Sequence, residues 1–291
     1  MLLWISAGIG GLFLLQTILN WVLVPELAKL TPRAPVRWPF VSIVVPAHNE
    51  ERAVGQTVSS YRRQDYEEFE VIVVDDESTD NTPHILRELQ AQHANLTVIS
   101  GSAPPEGWLG KPNALQIGLE AAEGEWILFV DADVTYAPDL LRRAMAYVLE
   151  QDYGMLVVWP RYVTEEVLEA VAMCSPYLVI FSAFPLFMVP RSRRRWLSTG
   201  NGTFNLVRRD TLEDCNAFES LKAAVFDDFA LGFKVKGAGH SVAVAASGPL
   251  VQIRMYHGFK DMLSGLTKNV YHVAGRVSPL LMPFGFLLAR P

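Results

Sequence analysis

Five apolar residues, Trp126-Ile127-Leu128-Phe129-Val130, run straight into Asp131-Ala132-Asp133. Gly124 and Pro138 bracket the run. A short, unbroken apolar run between breakers reads as a strand buried on both faces, which belongs in a parallel sheet covered by helices. In open α/β sheets, ligands bind outside the carboxyl ends of strands. A turn of the chain at the end of the strand would let both carboxylates reach one ligand. A hard divalent cation bridging phosphate oxygens suits such a pair. By itself the pair reads equally as solvated turn aspartates, since Asp is a common turn residue.

The order of elements around this run supports the sheet. Residues 41–45 form a strand ended by Pro46, and Ala47-His48-Asn49-Glu50 opens a helix to about residue 64. Residues 69–74 form a second buried strand, ending in Asp75-Asp76-Glu77-Ser78-Thr79-Asp80 before a helix to about residue 93. A third strand follows at 96–100, then a helix from Gly110-Lys111 to about residue 123. Such alternation implies parallel strands with right-handed crossovers. Asn49/Glu50, Asp75/Asp76 and Asp131/Asp133 would then gather at one edge of the sheet. No Gly-x-Gly-x-x-Gly follows the first strand and no Lys-Ser/Thr marks a P-loop, which disfavours a dinucleotide dehydrogenase and a P-loop NTPase. A net charge of -6 argues against a nucleic-acid binder. The two cysteines, Cys174 and Cys215, have no metal-ligand spacing.

Hydrophobic residues make up 50% of the chain, which directs attention to membrane segments. Residues 1–24 carry no charged side chain. A helix of about 23 residues is about 35 Å long, enough to cross a hydrocarbon core. Lys29, Arg33 and Arg37 follow on the C-terminal side, which by the positive-inside rule puts the rest of the chain in the cytoplasm. The expectation is a cell-membrane protein with a single N-terminal transmembrane anchor and a cytoplasmic catalytic domain; a buried helix is the alternative. A linker would occupy 25–40.

Five segments together resemble the family 2 glycosyltransferases of GT-A fold: 41–46 with His48-Asn49-Glu50; Val73-Val74-Asp75-Asp76-Glu77-Ser78-Thr79-Asp80; Gly110-Lys111 with Ala114-Leu115; Asp131-Ala132-Asp133; and Phe226-Asp227-Asp228. The resemblance spans about residues 40 to 260. It implies an α/β, Rossmann-like, mostly parallel sheet and a nucleotide-sugar donor, with a UDP-sugar expected. By resemblance, Asp76 contacts the uracil, with Ala47, Glu50 and Asp75 beside it; a carboxylate can accept the imide N–H. Asp75 and Asp76 could instead cap the helix that follows. Lys111, at a helix start, suits a diphosphate, or is a surface lysine. Asp131 would face the nucleotide sugar and Asp133 would ligate Mg²⁺ or Mn²⁺.

Asp228 matches the family's catalytic base, taking the proton of an acceptor hydroxyl in an inverting displacement. The family's usual pair is Glu-Asp; here it is Asp227-Asp228, and both could be capping a helix over 229–236. Thr199-Gly200-Asn201-Gly202 resembles the acceptor-side loop, placing Asn201 and Gly202 with Asp227 on that side, and it reads equally as a simple turn. Gln252-Ile253-Arg254-Met255-Tyr256 stands where processive members carry Gln-x-x-Arg-Trp, with Arg one place early and Tyr for Trp. Gln252 and Tyr256 are thus expected near the acceptor, and Arg254 near the diphosphate.

That departure turns the resemblance from polymer synthases toward the lipid-modifying branch, similar to ceramide glucosyltransferases and bacterial carotenoid or hopanoid glycosyltransferases. The membrane is expected as a partner. Residues 167–190, closed by Arg191, Arg193, Arg194 and Arg195, would form an interfacial or re-entrant element inside a catalytic domain over 41–257; a buried helical hairpin is the alternative. Residues 258–276 read as an amphipathic basic helix and 277–289 as an apolar tail. The leading expectation is an inverting, metal-dependent transfer of sugar to a hydrophobic acceptor at the cytoplasmic membrane face. A polysaccharide synthase and a non-catalytic nucleotide-sugar-binding membrane scaffold are the rivals.

Overall fold

The computed structural model describes residues 2–217, 221–224 and 226–254. The elements run α1 (Leu2–Leu23), β1 (Val41–Ala47), α2 (Val54–Arg62), β2 (Phe69–Asp75), α3 (Thr82–Ala91), β3 (Leu96–Ser100), α4 (Gly110–Ala121), β4 (Trp126–Phe129), β5 (Val134–Tyr136), α5 (Leu140–Gln151), β6 (Met155–Trp159), β7 (Arg161–Tyr162), α6 (Val167–Ala183), β8 (Asn205–Arg208), α7 (Arg209–Asp214), α8 (Asp227–Gly237), β9 (Val242–Ala246) and β10 (Val251–Ile253). Residues 1–161 with 180–253 make one compact unit; a second begins with 162–179 and includes Arg254.

The main sheet has the order β3-β2-β1-β4-β8-β6-β9. β1 pairs in parallel with β2 and β4, β2 with β3, and β6 with β9. β8 runs antiparallel to both of its neighbours, β4 and β6. All four residues of β4 and all five of β6 are buried, as continuous apolar runs in a doubly covered sheet should be. The register aligns Ala47 of β1 with Asp75 of β2, so both strands deliver their loops at one level. β4 stops at Phe129, the chain turns through Ala132 and Asp133, and β5 leaves to pair antiparallel with β10.

α2 starts at Val54, later than the sequence suggests, because Asn49 takes a positive φ of 57° and breaks the helical path. Its side-chain oxygen accepts from Thr79 N at 2.8 Å, knitting the first loop onto the second.

The expected N-terminal transmembrane anchor is corrected. Among the described residues no helix is long and apolar enough to cross a membrane. Polar side chains interrupt the C-terminal half of α1 at Gln16, Thr17 and Asn20. Asn20 is fully buried; its amide donates to Phe181 O and Phe184 O, each at 2.8 Å, and its oxygen accepts from Phe187 N at 3.1 Å. The placement of the chain in a cell membrane with a cytoplasmic catalytic domain, which rested on that anchor, goes with it. Beyond α1 the chain is tied down: Leu27 is fully buried, and Ala246 N donates to Pro25 O at 2.8 Å. Leu186 and Val189 are also buried, whereas Arg191, Arg193, Arg194 and Arg195 are not. The two segments expected over 258–276 and 277–289 lie outside the described residues.

Candidate active site

The loops after β1, β2 and β4 and the start of α4 enclose an open cleft of about 280 Å³, lined by Ala47, His48, Glu50, Asp76, Lys111, Asp131 and Asp133 among others. Asp76 N donates to Ala47 O at 2.8 Å, so the ends of β1 and β2 form one wall. Asp75 and Asp76 part here. Asp75 is buried and its Oδ1 accepts from Ser78 N at 3.2 Å, serving its own loop. Asp76 faces the cleft.

On the far side, Lys111 Nζ sits 2.6 Å from Asp131 Oδ1 and 3.8 Å from Asp227 Oδ1. No side chain caps the first turn of α4, so its leading N–H groups remain as donors beside this ammonium. Burial opposes the charge on Lys111, but Asp131, Asp227 and Asp228 outweigh it and hold the group well above the usual lysine range.

Gly202 ties the two halves together. Its N–H donates to Asp228 Oδ2 at 2.8 Å, and its carbonyl accepts from Asp131 N at 2.9 Å. A Cβ there would lie 2.2 Å from Asp131 Oδ2, so any side chain would push that carboxylate out of its place. Gly200 lies as close to α8, where a Cβ would come within 1.8 Å of Asp228 O. Asn201 is buried and braces the loop, its Oδ1 accepting from Thr203 N at 3.0 Å and Thr203 Oγ1 at 2.7 Å. Asp228 Oδ1 accepts from Phe229 N at 2.9 Å within the first turn of α8.

The carboxyls are crowded. Burial first, then Asp133, Asp131 and Asp80, pushes Glu50 up to about 7. Burial and Asp131 push Asp133 up to about 6. Burial pushes Asp227 up to about 6 against the pull of Lys111, with Asp228 and Asp131 adding to the rise. Burial raises Asp228 and Asp76 as well. Lys111 is engaged by Asp131, so the Glu50–Asp133 side carries negative charge that burial penalises.

Among the described residues, no three His, Cys, Asp or Glu side chains are grouped to hold a metal unaided. The donor set nonetheless fits a hard divalent cation that takes its remaining ligands from phosphate and water: it is all oxygen, and it is short of positive charge.

Two expected residues make contacts of their own. Gln252, on β10, is exposed; its Nε2 donates to Pro249 O at 3.3 Å and its carbonyl accepts from Thr135 Oγ1 at 3.3 Å. The Arg254 guanidinium pairs with Glu165 at 2.6 Å. Tyr256 lies outside the described residues. Sequence reasoning passed over two supports. Tyr61, from α2, donates its hydroxyl to Asp131 O at 2.8 Å, and Tyr136 donates to Thr203 O at 2.7 Å. Their rings sit 4.6 Å apart beneath the aspartate turn. A Tyr among small polar residues in α2 was the one available signal.

Comparison with known proteins follows the same lines. The model of the family described as Glycosyl transferase family 2 matches residues 42–215. The 4,4'-diaponeurosporenoate glycosyltransferase of Staphylococcus aureus (strain USA300) is 30% identical over 249 residues, 83% of this chain and 64% of that protein. The chain thus spans just under two thirds of that relative. Among solved structures, the mannosyltransferase PcManGT from Pyrobaculum calidifontis, in complex with GDP-Man and Mn²⁺, is similar with a TM-score of 0.65 at 20% identity, covering 97% of this chain and 77% of that one. S. aureus TarS 1–349 in complex with UDP gives 0.54 at 24% identity, covering 78% and 63%. These two likenesses speak to fold alone.

Proposed function

The chain belongs to glycosyl transferase family 2, and from that premise we propose that it transfers a sugar from a UDP-sugar to a hydrophobic acceptor, with inversion at the anomeric carbon. One observation carries the reading. Gly202 joins the Asp131 turn to Asp228 through hydrogen bonds from its backbone N–H and to its carbonyl, so a phosphate-type cleft and a half-buried carboxylate share one edge.

Asp76 and Ala47 form the wall for the uracil, whose imide N–H a carboxylate can accept. Lys111 and the start of α4 hold the diphosphate. Asp131 orients the donor against Lys111. Asp133, with Asp131 beside it, would hold Mg²⁺ or Mn²⁺, which supplies positive charge against the leaving diphosphate when bound. Asp228 accepts the acceptor's proton as that oxygen bonds to the anomeric carbon; the bond from that carbon to the diphosphate oxygen breaks, and UDP departs. Burial raises Asp228, which makes it a stronger base than a solvated aspartate. Asp227, held near Lys111, keeps the ammonium in place rather than moving a proton. The hydrophobic acceptor is supported by the 30% identity to a protein named for a diaponeurosporenoate acceptor.

The test is a purified chain incubated with UDP-sugars, Mn²⁺ and either 4,4'-diaponeurosporenoate or a lipid extract, read by mass spectrometry. A glycosylated lipid is expected. Turnover only to sugar polymer, or of no donor at all, contradicts the reading.

A further inference from the structure

α8 carries the two aspartates at its start and then leaves aromatic rings in solvent. Phe226, Phe229 and Phe233 are 49%, 40% and 41% exposed. Phe229 and Phe233 are four apart and share a helix face, and Phe226 stands just before the first turn. Leu231 and Val235 bury the opposite face. Single exposed apolar residues need no explanation; three in register along one face do.

The stripe is built into its surroundings. Phe229 meets the edge of Trp159 at 6.4 Å, and Trp159 meets Phe181 at 6.1 Å. The Arg195 guanidinium lies over Phe233 at 5.5 Å. Trp196 follows, 54% exposed. The stripe therefore begins beside Asp227 and Asp228 and ends at a basic edge about 10 Å further on, at 1.5 Å of rise per residue. Its width favours a chain over a protein. Three half-exposed phenylalanines offer on the order of 250 Å², against about 800 Å² per partner in a stable protein interface.

We propose that the outer face of α8, formed by Phe226, Phe229 and Phe233, is the track for the acceptor's apolar chain. Its sugar-accepting oxygen lies at Asp228 and its chain runs toward Arg195. This rests on the hydrophobic-acceptor reading above and assigns residues to it. The aspartates point to the donor side while the rings face out, so one helix orients both ends of the reaction.

The probe is cis-parinaric acid, a fluorescent polyene carboxylic acid, titrated against wild type and the Phe229→Ala/Phe233→Ala double variant. Both rings are surface groups, and UDP affinity reports that the fold is kept. The Kd for the probe should weaken about tenfold or more in the variant, with the Kd for UDP unchanged. Phe233→Leu should retain most of the binding. Absent binding by wild type, or a variant Kd within about twofold of wild type, overturns the track. Transfer from UDP-glucose or UDP-N-acetylglucosamine to 4,4'-diaponeurosporenoate, run in parallel, separates the two claims. Probe binding that the variant loses, with no transfer by wild type, removes the acceptor reading and leaves a chain-binding face. Transfer that survives the double substitution at wild-type KM removes the track and leaves the reading.

Discussion

The raised carboxyls give the site a measurable signature. Glu50 stands at about 7, Asp133 and Asp227 at about 6, all pushed up first by burial. Between about pH 4 and pH 7 the folded chain therefore holds protons that the unfolded chain releases. The stability these groups contribute is full below their unfolded values and is lost as pH rises through 6 and 7. Glu50→Gln removes the largest part. In metal-free buffer, its Tm relative to wild type should rise between about pH 5 and about pH 8. A Tm difference independent of pH contradicts the assignment. Asp75 shows why one residue escaped sequence reasoning. Neighbouring aspartates look alike in a sequence, and only the turn at Ser78 decides which one faces inward.

At the scale of elements, the decisive contact is that of the loop 199–202 with α8. Gly200→Ala would place a methyl within 1.8 Å of Asp228 O, and backbone cannot yield as a flexible side chain can. The loop or the helix must shift, at a cost of about 1–3 kcal/mol. Transfer should fall by at least about tenfold while UDP affinity holds, since the cleft residues lie on other loops. Undiminished transfer would show that the close approach has no part in placing the base. Strand ends were legible because each apolar run meets its polar cluster locally. This contact was not, because a glycine-rich loop reads as a turn until the helix that Gly200 admits is known. The antiparallel pairing of β8 between β4 and β6, though not the strand itself, was hidden for the same reason: its partners are far away in sequence.

For the whole molecule, Asn20 is the clearest departure from the sequence reading. An uncharged run of residues suggested a spanning helix, and one buried amide with three hydrogen bonds docks its end on residues 181–187 instead. Asn20→Leu removes all three hydrogen bonds, costing about 1–3 kcal/mol. Proteolysis at residues 31–39 should quicken in that variant; cleavage at the wild-type rate would mean the dock contributes nothing. The larger claim is that one sheet edge joins a donor cleft to a half-buried base, and Asp228→Asn tests it most directly. Sugar transfer and UDP affinity are measured together on the same preparation. The account predicts transfer lowered by about 10²–10⁴-fold with UDP affinity within about twofold of wild type. Transfer at the wild-type rate would contradict it, as would a loss of transfer that merely tracks a loss of UDP binding.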